Sequence, residues 1–323
     1  MILKILKWLL VILAIKGMAA WFVEQAYVDL RREISAREVH CRSYEPTVVF
    51  IGTSRTLFGV NPSLFDSLNQ GRTKSYNFGV FSISPRGSIQ LADRLLSEVS
   101  SVETIYVELS ALEFRTLSLS PQEVVPEAIF RTRLMRDCST LSLQEKAGSF
   151  LKGLNTVLFQ MVSIAPQIFT IKKMIFPKID PIEGTFEIAP NGHQTVDYAL
   201  RQVTANALAN KEVTQRLLSL QREGASNEFF LAEVARLVER ARAKGKEVIF
   251  YYPNNVTVEE YPVLSEVAPY LPENTLLTLS DELLLDTLFA PEHLFDSHHL
   301  NQKGAAIYTE FLQRKRIEHQ GSL

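Results

Sequence analysis

The chain has 323 residues and balances 34 Lys+Arg against 36 Asp+Glu, so its net charge of −2 excludes the basic surplus of a general nucleic-acid binder. Its 46% hydrophobic and 22% charged content argues for a substantial core and against global disorder. The two cysteines, Cys41 and Cys138, form neither a zinc pattern nor a Cys-x-x-Cys redox motif, which leaves one disulfide or two free thiols.

The first 23 residues pose a membrane question. Lys4 and Lys7 precede the apolar stretch 8–15, Lys16 interrupts it, and residues 17–23 resume it. Trp8 and Trp21 stand near the two ends, as interfacial aromatics do. A retained anchor is one reading; a secretory signal with Met18-Ala19-Ala20 before its cleavage site is the other. Lys16 then either snorkels to an interface or docks on a membrane partner. Residues 24–40 are polar and helix-permissive, as in a stalk.

Residues 47–51, Thr-Val-Val-Phe-Ile, read as a strand buried on both faces. It runs into Gly52-Thr53-Ser54-Arg55, where glycine permits a sharp turn and Ser54 falls at the carboxyl edge of a sheet. Ser54 is a candidate nucleophile or a turn-capping serine. Thr56 excludes the Gly-x-Ser-x-Gly elbow. Asn61-Pro62-Ser63 opens a short helix, residues 74–79 are a second strand, and Ser84-Pro85 caps a helix with Ile89, Ala92, Leu95, Leu96 and Val99 at helical spacing. Residues 104–109 form strand three, completing the rhythm of a parallel sheet.

That rhythm stops near Phe114. Residues 150–176 are long and apolar, from Phe150, Leu151, Leu154 and Leu158 to Pro166, Phe169 and Met174, with Lys172 and Lys173 among them. This is either a helical insertion with its own small core or an apolar face for a membrane or partner. An amphipathic helix from Phe229 ends at Gly245, residues 247–252 are strand four, 276–279 a fifth strand, and a last helix begins near Asn301.

Just before that helix stands Asp296-Ser297-His298-His299-Leu300-Asn301. An aspartate three residues before a histidine can orient the imidazole, which then serves as general base to a serine and general acid to the leaving group. The paired histidines raise a metal site as a competitor, but no familiar ligand spacing completes it, and no cofactor motif is present.

A Gly-x-Ser ending the first strand and an Asp-x-x-His before the last helix together resemble the SGNH/GDSL hydrolase superfamily. Ser54 matches the block-one nucleophile, with Thr53 in place of the usual aspartate. Asp296 and His299 match the last block, followed by Leu300, Asn301 and Gly304. Gly79, in Asn77-Phe78-Gly79, matches the block-two glycine whose N–H donates to the oxyanion, and Asn77 and Arg55 join it as oxyanion or substrate contacts. Arg55 has a second reading, an ion pair at the sheet edge. The block-three Gly-x-Asn is replaced by Glu108-Leu-Ser-Ala-Leu-Glu113.

The resemblance implies a flavodoxin-like three-layer α/β/α fold with a central parallel sheet, a helical insertion and an N-terminal membrane helix. Its parts would be an anchor or uncleaved signal (1–23), a stalk (24–45), the sheet domain (46–114 and 228–316), the insertion (115–227) and a tail (317–323). With the missing block three and the membrane segment, Gly-Thr-Ser-Arg-Thr resembles the branch that works beside membrane-bound O-acyltransferases. That branch includes the D-alanine transfer protein of teichoic acid synthesis and the alginate O-acetylation proteins. It implies a cytoplasmic-membrane protein, with its main domain on the extracytoplasmic side, that moves an acyl group onto an exported polysaccharide or other envelope polymer. An anchored esterase with the same residues and a non-catalytic scaffold are the alternatives.

Overall fold

The computed structural model describes residues 2–26, 30–111, 121–162, 168, 171, 175, 189–272, 274–277 and 282–321. Five strands form one sheet: β1 (Val48–Gly52), β2 (Ser75–Gly79), β3 (Thr104–Glu108), β4 (Glu247–Tyr251) and β5 (Leu276–Leu277). Their order is β2-β1-β3-β4-β5 and every pairing is parallel. This is a doubly wound order. The direction of winding reverses beside β1, so the crevice that binds ligands in such sheets lies beyond the end of β1. All five residues of β1, β2 and β3 are buried, which explains the continuous apolar run of β1. Phe50, at the centre, stacks on Tyr106 at 4.7 Å and meets Phe65 and Tyr251 edge-on. Burying such a ring is worth about 1.5–3 kcal/mol.

Helices lie against the sheet in the three-layer α/β/α manner. On one side α5 (Pro85–Glu98) packs on β1 and β3 and on the later helix 228–243. It starts at Pro85 because the Ser84 side chain caps it, accepting from the Gly87 N–H. The chain's last helix, 302–321, packs on the two short helices α3 (Ser54–Gly59) and α4 (Pro62–Leu68) and on β5. Asn61 caps α4 through the Leu64 N–H.

Among its described residues the insertion holds three helices of fourteen residues or more, α6 (Pro121–Arg136), α7 (Leu143–Val162) and α8 (Ala205–Leu218). Between α7 and α8, residues 189–204 return to the sheet. The Asn77 N–H donates to Asn191 O at 2.8 Å, Leu200 N–H to Leu294 O at 2.9 Å, and Gln302 N–H to Val196 O at 2.9 Å. This irregular stretch therefore ties the outer edge of β2 to the loop before the last helix. Glu113, Phe114, Pro166, Phe169, Lys172, Lys173, Met174, Thr278 and Leu279 lie outside the described residues.

Helix α2 (Leu30–Tyr44), expected as a stalk, ends docked on β2. Arg37 is 1% exposed and donates to Gly192 O at 3.2 Å, and His40 meets the Tyr76 hydroxyl at 3.2 Å. Cys41 and Cys138 are free and buried, and burial pushes the Cys41 thiol up to about 12. Helix α1 (Ile2–Ala26) packs on α7 and leaves Trp8, Leu10, Met18 and Trp21 exposed. Among the described residues no helix is long and apolar enough to cross a membrane. Lys4, Lys7 and Lys16 interrupt the apolar run of α1, and Lys16 itself is buried.

Candidate functional site: a serine–histidine–aspartate cluster at the sheet edge

The end of β1 delivers Ser54. Thr53 is extended, with φ −79° and ψ −168°, and its hydroxyl accepts from the Arg55 N–H, so the chain leaves the strand and enters α3 at Ser54. The preceding Gly52 has no room for a side chain: a Cβ there would lie 2.0 Å from Thr56 Oγ1 and 2.4 Å from Glu108 Oε2. The glycine of the motif is thus required by what packs under the turn.

The loop before the last helix delivers the imidazole. A bridge between Leu294 and Leu300 closes it, and the Phe295 N–H donates to His299 O at 3.1 Å. Inside the loop Asp296 Oδ1 accepts from the backbone N–H groups of His298 at 2.7 Å and His299 at 2.9 Å. Both Asp296 oxygens also face the His299 ring, at 3.0 Å and 2.8 Å from Nδ1. An ionised carboxylate only accepts, so Nδ1 carries the proton and the Nε2 lone pair is free. Nε2 lies 2.7 Å from Ser54 Oγ, and the serine hydroxyl donates to it. Burial alone would raise the Asp296 pKa, but the bonds from His299 and the two backbone N–H groups outweigh it and hold the carboxyl below its usual value.

Aromatic rings fix the imidazole from the sides. Phe295 stacks on His299 with centroids 5.3 Å apart and planes 10° apart, and Phe58 meets it edge-on at 5.5 Å. Tyr198 lies against Phe295 and Phe81 against Phe58. His298 points elsewhere: its Nδ1 is 3.2 Å from Asn210 Nδ2, and its carbonyl accepts from Asn254 and Asn255.

The residues expected around an oxyanion are used differently. The Gly79 N–H donates to Asn77 Oδ1 at 2.8 Å, and Asn77 Nδ2 donates to the carbonyls of Thr56, Leu57 and Val60. A Cβ on Gly79 would lie 2.2 Å from Leu57 N, so this glycine lets α3 approach β2. The Gly79 N–H therefore orients the Asn77 side chain, and the Asn77 amide braces the carbonyls of α3 and of Val60 just after it, so both donors are engaged. Arg55 is 4% exposed and pairs with Glu108 and Glu260, both at 2.7 Å, which takes its guanidinium away from solvent. All three expected contacts, Gly79, Asn77 and Arg55, are thus engaged within the protein.

Sequence reasoning passed over Glu260, Asn254, Asn255 and Phe58. It read Glu108 only as a departure from block three. One signal was available: a glutamate closing a strand of buried residues must find a cation or donors. Among the described residues no group of three or more His, Cys, Asp and Glu side chains is arranged to hold a metal ion. No protein-family model, curated protein or solved structure matches the chain.

Proposed function

We propose that the chain is a serine acyltransferase of SGNH type, held at the cytoplasmic membrane with its main domain outside, that transfers an acyl group to an exported polysaccharide or other envelope polymer. The observation that carries this reading is the 2.7 Å contact between Ser54 Oγ and His299 Nε2, with Asp296 on the far nitrogen. Ser54 Oγ attacks the acyl carbonyl as its proton passes to Nε2. His299 then gives that proton to the leaving group, and the acyl group stays on Ser54. An acceptor hydroxyl repeats the sequence in reverse: it loses its proton to Nε2, takes the acyl group, and Ser54 recovers the proton. Asp296 keeps Nδ1 protonated and supports the imidazolium formed at each step.

Two surface features support the membrane and partner parts of the reading. Helix α1 exposes apolar side chains along its length, and α7, packed beside it, exposes Phe150, Leu151, Leu154 and Leu158. A membrane, or a membrane-bound O-acyltransferase that supplies the acyl group, is the partner of fitting chemistry.

The test uses full-length protein in detergent and an activated acetyl ester. The proposal expects an acetyl adduct on wild type, none on Ser54→Ala, and release of the adduct by a polysaccharide acceptor faster than by water. Release by water at the same rate with and without acceptor would make the protein an esterase. Membrane binding lost on deletion of residues 2–26, with Ser54→Ala silent in every assay, would favour the scaffold.

A further inference from the structure

Four of the five residues in Gly52-Thr53-Ser54-Arg55-Thr56 converge on one side chain. Glu108, at the end of β3, is fully buried. Its Oε2 accepts from the Thr53 N–H at 2.8 Å and from the Thr56 hydroxyl at 2.6 Å. Its Oε1 accepts from the Thr53 hydroxyl at 2.8 Å and from Arg55 Nε and Nη2 at 3.1 Å and 2.7 Å. Because the carboxylate only accepts, the Thr56 hydroxyl donates to it, and the Tyr251 hydroxyl at 2.6 Å donates to Thr56 in turn. Gly52 has no side chain, and Glu108 occupies the space. Only Ser54 turns away, toward His299.

A buried ion pair is a poor way to gain stability. Desolvation offsets most of the attraction, and an apolar replacement is often as stable. The cluster holds two carboxylates about one guanidinium, Glu108–Arg55–Glu260, which is costlier still. What it supplies is geometry. Charge-assisted bonds to the backbone and side chains on both sides of Ser54 fix the turn more tightly than packing would.

We infer that Glu108 is the positioning residue of this site: it binds the residues flanking Ser54, through Thr53, Arg55 and Thr56, and so holds the serine hydroxyl on His299. Glu260 serves differently. It grips the other side of Arg55 and the Thr257 and Ala111 N–H groups, and makes no bond to Thr53 or Thr56. The inference rests on the reading of Ser54 as nucleophile.

The experiment compares full-length wild type, Glu108→Gln and Glu260→Gln for reaction with a fluorophosphonate, separating probe affinity from the rate of covalent capture, with thermal unfolding alongside. Glu108→Gln keeps the shape but puts an N–H₂ or a weaker acceptor against Thr53 N–H. Its capture rate is expected to fall about 100-fold, as for a small displacement of a reacting group, with probe affinity unchanged. Glu260→Gln is expected to lose at least as much thermal stability yet capture the probe near the wild-type rate. If Glu108→Gln does not fold, Thr53→Val removes the hydroxyl that joins Glu108 to the Arg55 N–H and Nε, and is expected to slow capture at unchanged affinity. Capture that tracks stability alike in all variants would overturn the inference. A wild type that captures no probe would overturn the nucleophile reading, and this inference with it.

Discussion

Phe295 lies flat against His299, 5.3 Å away and 10° from parallel, so the ring four residues upstream in the loop forms one wall of the imidazole's slot. Phe58 closes a second side. The imidazole is thus held at its edge by Asp296 and on its face by carbon. Phe295→Ala removes the face contact and leaves the hydrogen bonds. It is expected to lower the acylation rate by about 10- to 100-fold through looser alignment, with far-UV circular dichroism unchanged.

The two histidines separate cleanly. His299→Ala is expected to abolish acylation. His298→Ala is expected to be mild, because its side chain meets Asn210, and the carbonyl that Asn254 and Asn255 hold survives the change. Steady-state rates on one model ester distinguish them, and a lethal His298→Ala with an active His299→Ala would contradict the assignment of the base to His299.

Gly52→Ala meets Thr56 Oγ1 at 2.0 Å and Glu108 Oε2 at 2.4 Å, so the turn must move. Overpacking of this kind costs about 1–3 kcal/mol. The expectation is a lower melting temperature together with loss of acylation, since the displaced element carries Ser54. Arg55→Ala is expected to be worse for stability, about 3–5 kcal/mol, because it strands Glu108 and Glu260 without a cation. Burial works against an ionised Glu260, yet the Arg55 charge and backbone donors outweigh it and lower its pKa. Urea unfolding of the two variants gives both numbers.

His193 supplies a pH test. It is 8% exposed, hydrogen-bonds the Phe58 backbone, and its Nε2 has no partner among the described residues. Burial lowers its pKa from 6.5 to about 4. Below pH 6.5 the unfolded chain gains a proton that the folded one refuses, so stability falls as the pH drops from 6.5 to about 4 and then levels. At about 1.4 kcal/mol per pH unit the loss is on the order of 3 kcal/mol. His193→Phe should remove this part of the slope, as read by urea unfolding at pH 7 and pH 4.5.

The sheet was legible because β1, β3 and β4 bury short runs of apolar and aromatic residues and the helices after β1 and β2 open on capping side chains, as with Ser84 and Pro85. Strand limits shifted by a residue: β1 runs to Gly52, since Gly52 still pairs with Gly79. Ser54, Asp296 and His299 stood out because local spacing exposed them at a strand end and a helix start. The buried partners did not. Glu260 and Arg55 are 205 residues apart in the chain, and periodicity carries no sign of such a contact. The resemblance places Gly79 and Asn77 by the oxyanion, whereas the Gly79 N–H is spent on the Asn77 side chain and the Asn77 amide on the carbonyls of Thr56, Leu57 and Val60. The docking of α2 on Tyr76 was equally hidden, since a polar helix hides one arginine and one cysteine as easily as none.

The central claim is that Ser54 is activated by His299. The most direct measurement is peptide mapping of full-length protein after brief exposure to a fluorophosphonate, beside His299→Ala and Ser54→Ala. The account predicts a single modified peptide in wild type with the added mass on Ser54, and none in either variant. Modification of Ser54 at the same rate in His299→Ala, or none in wild type, would contradict it.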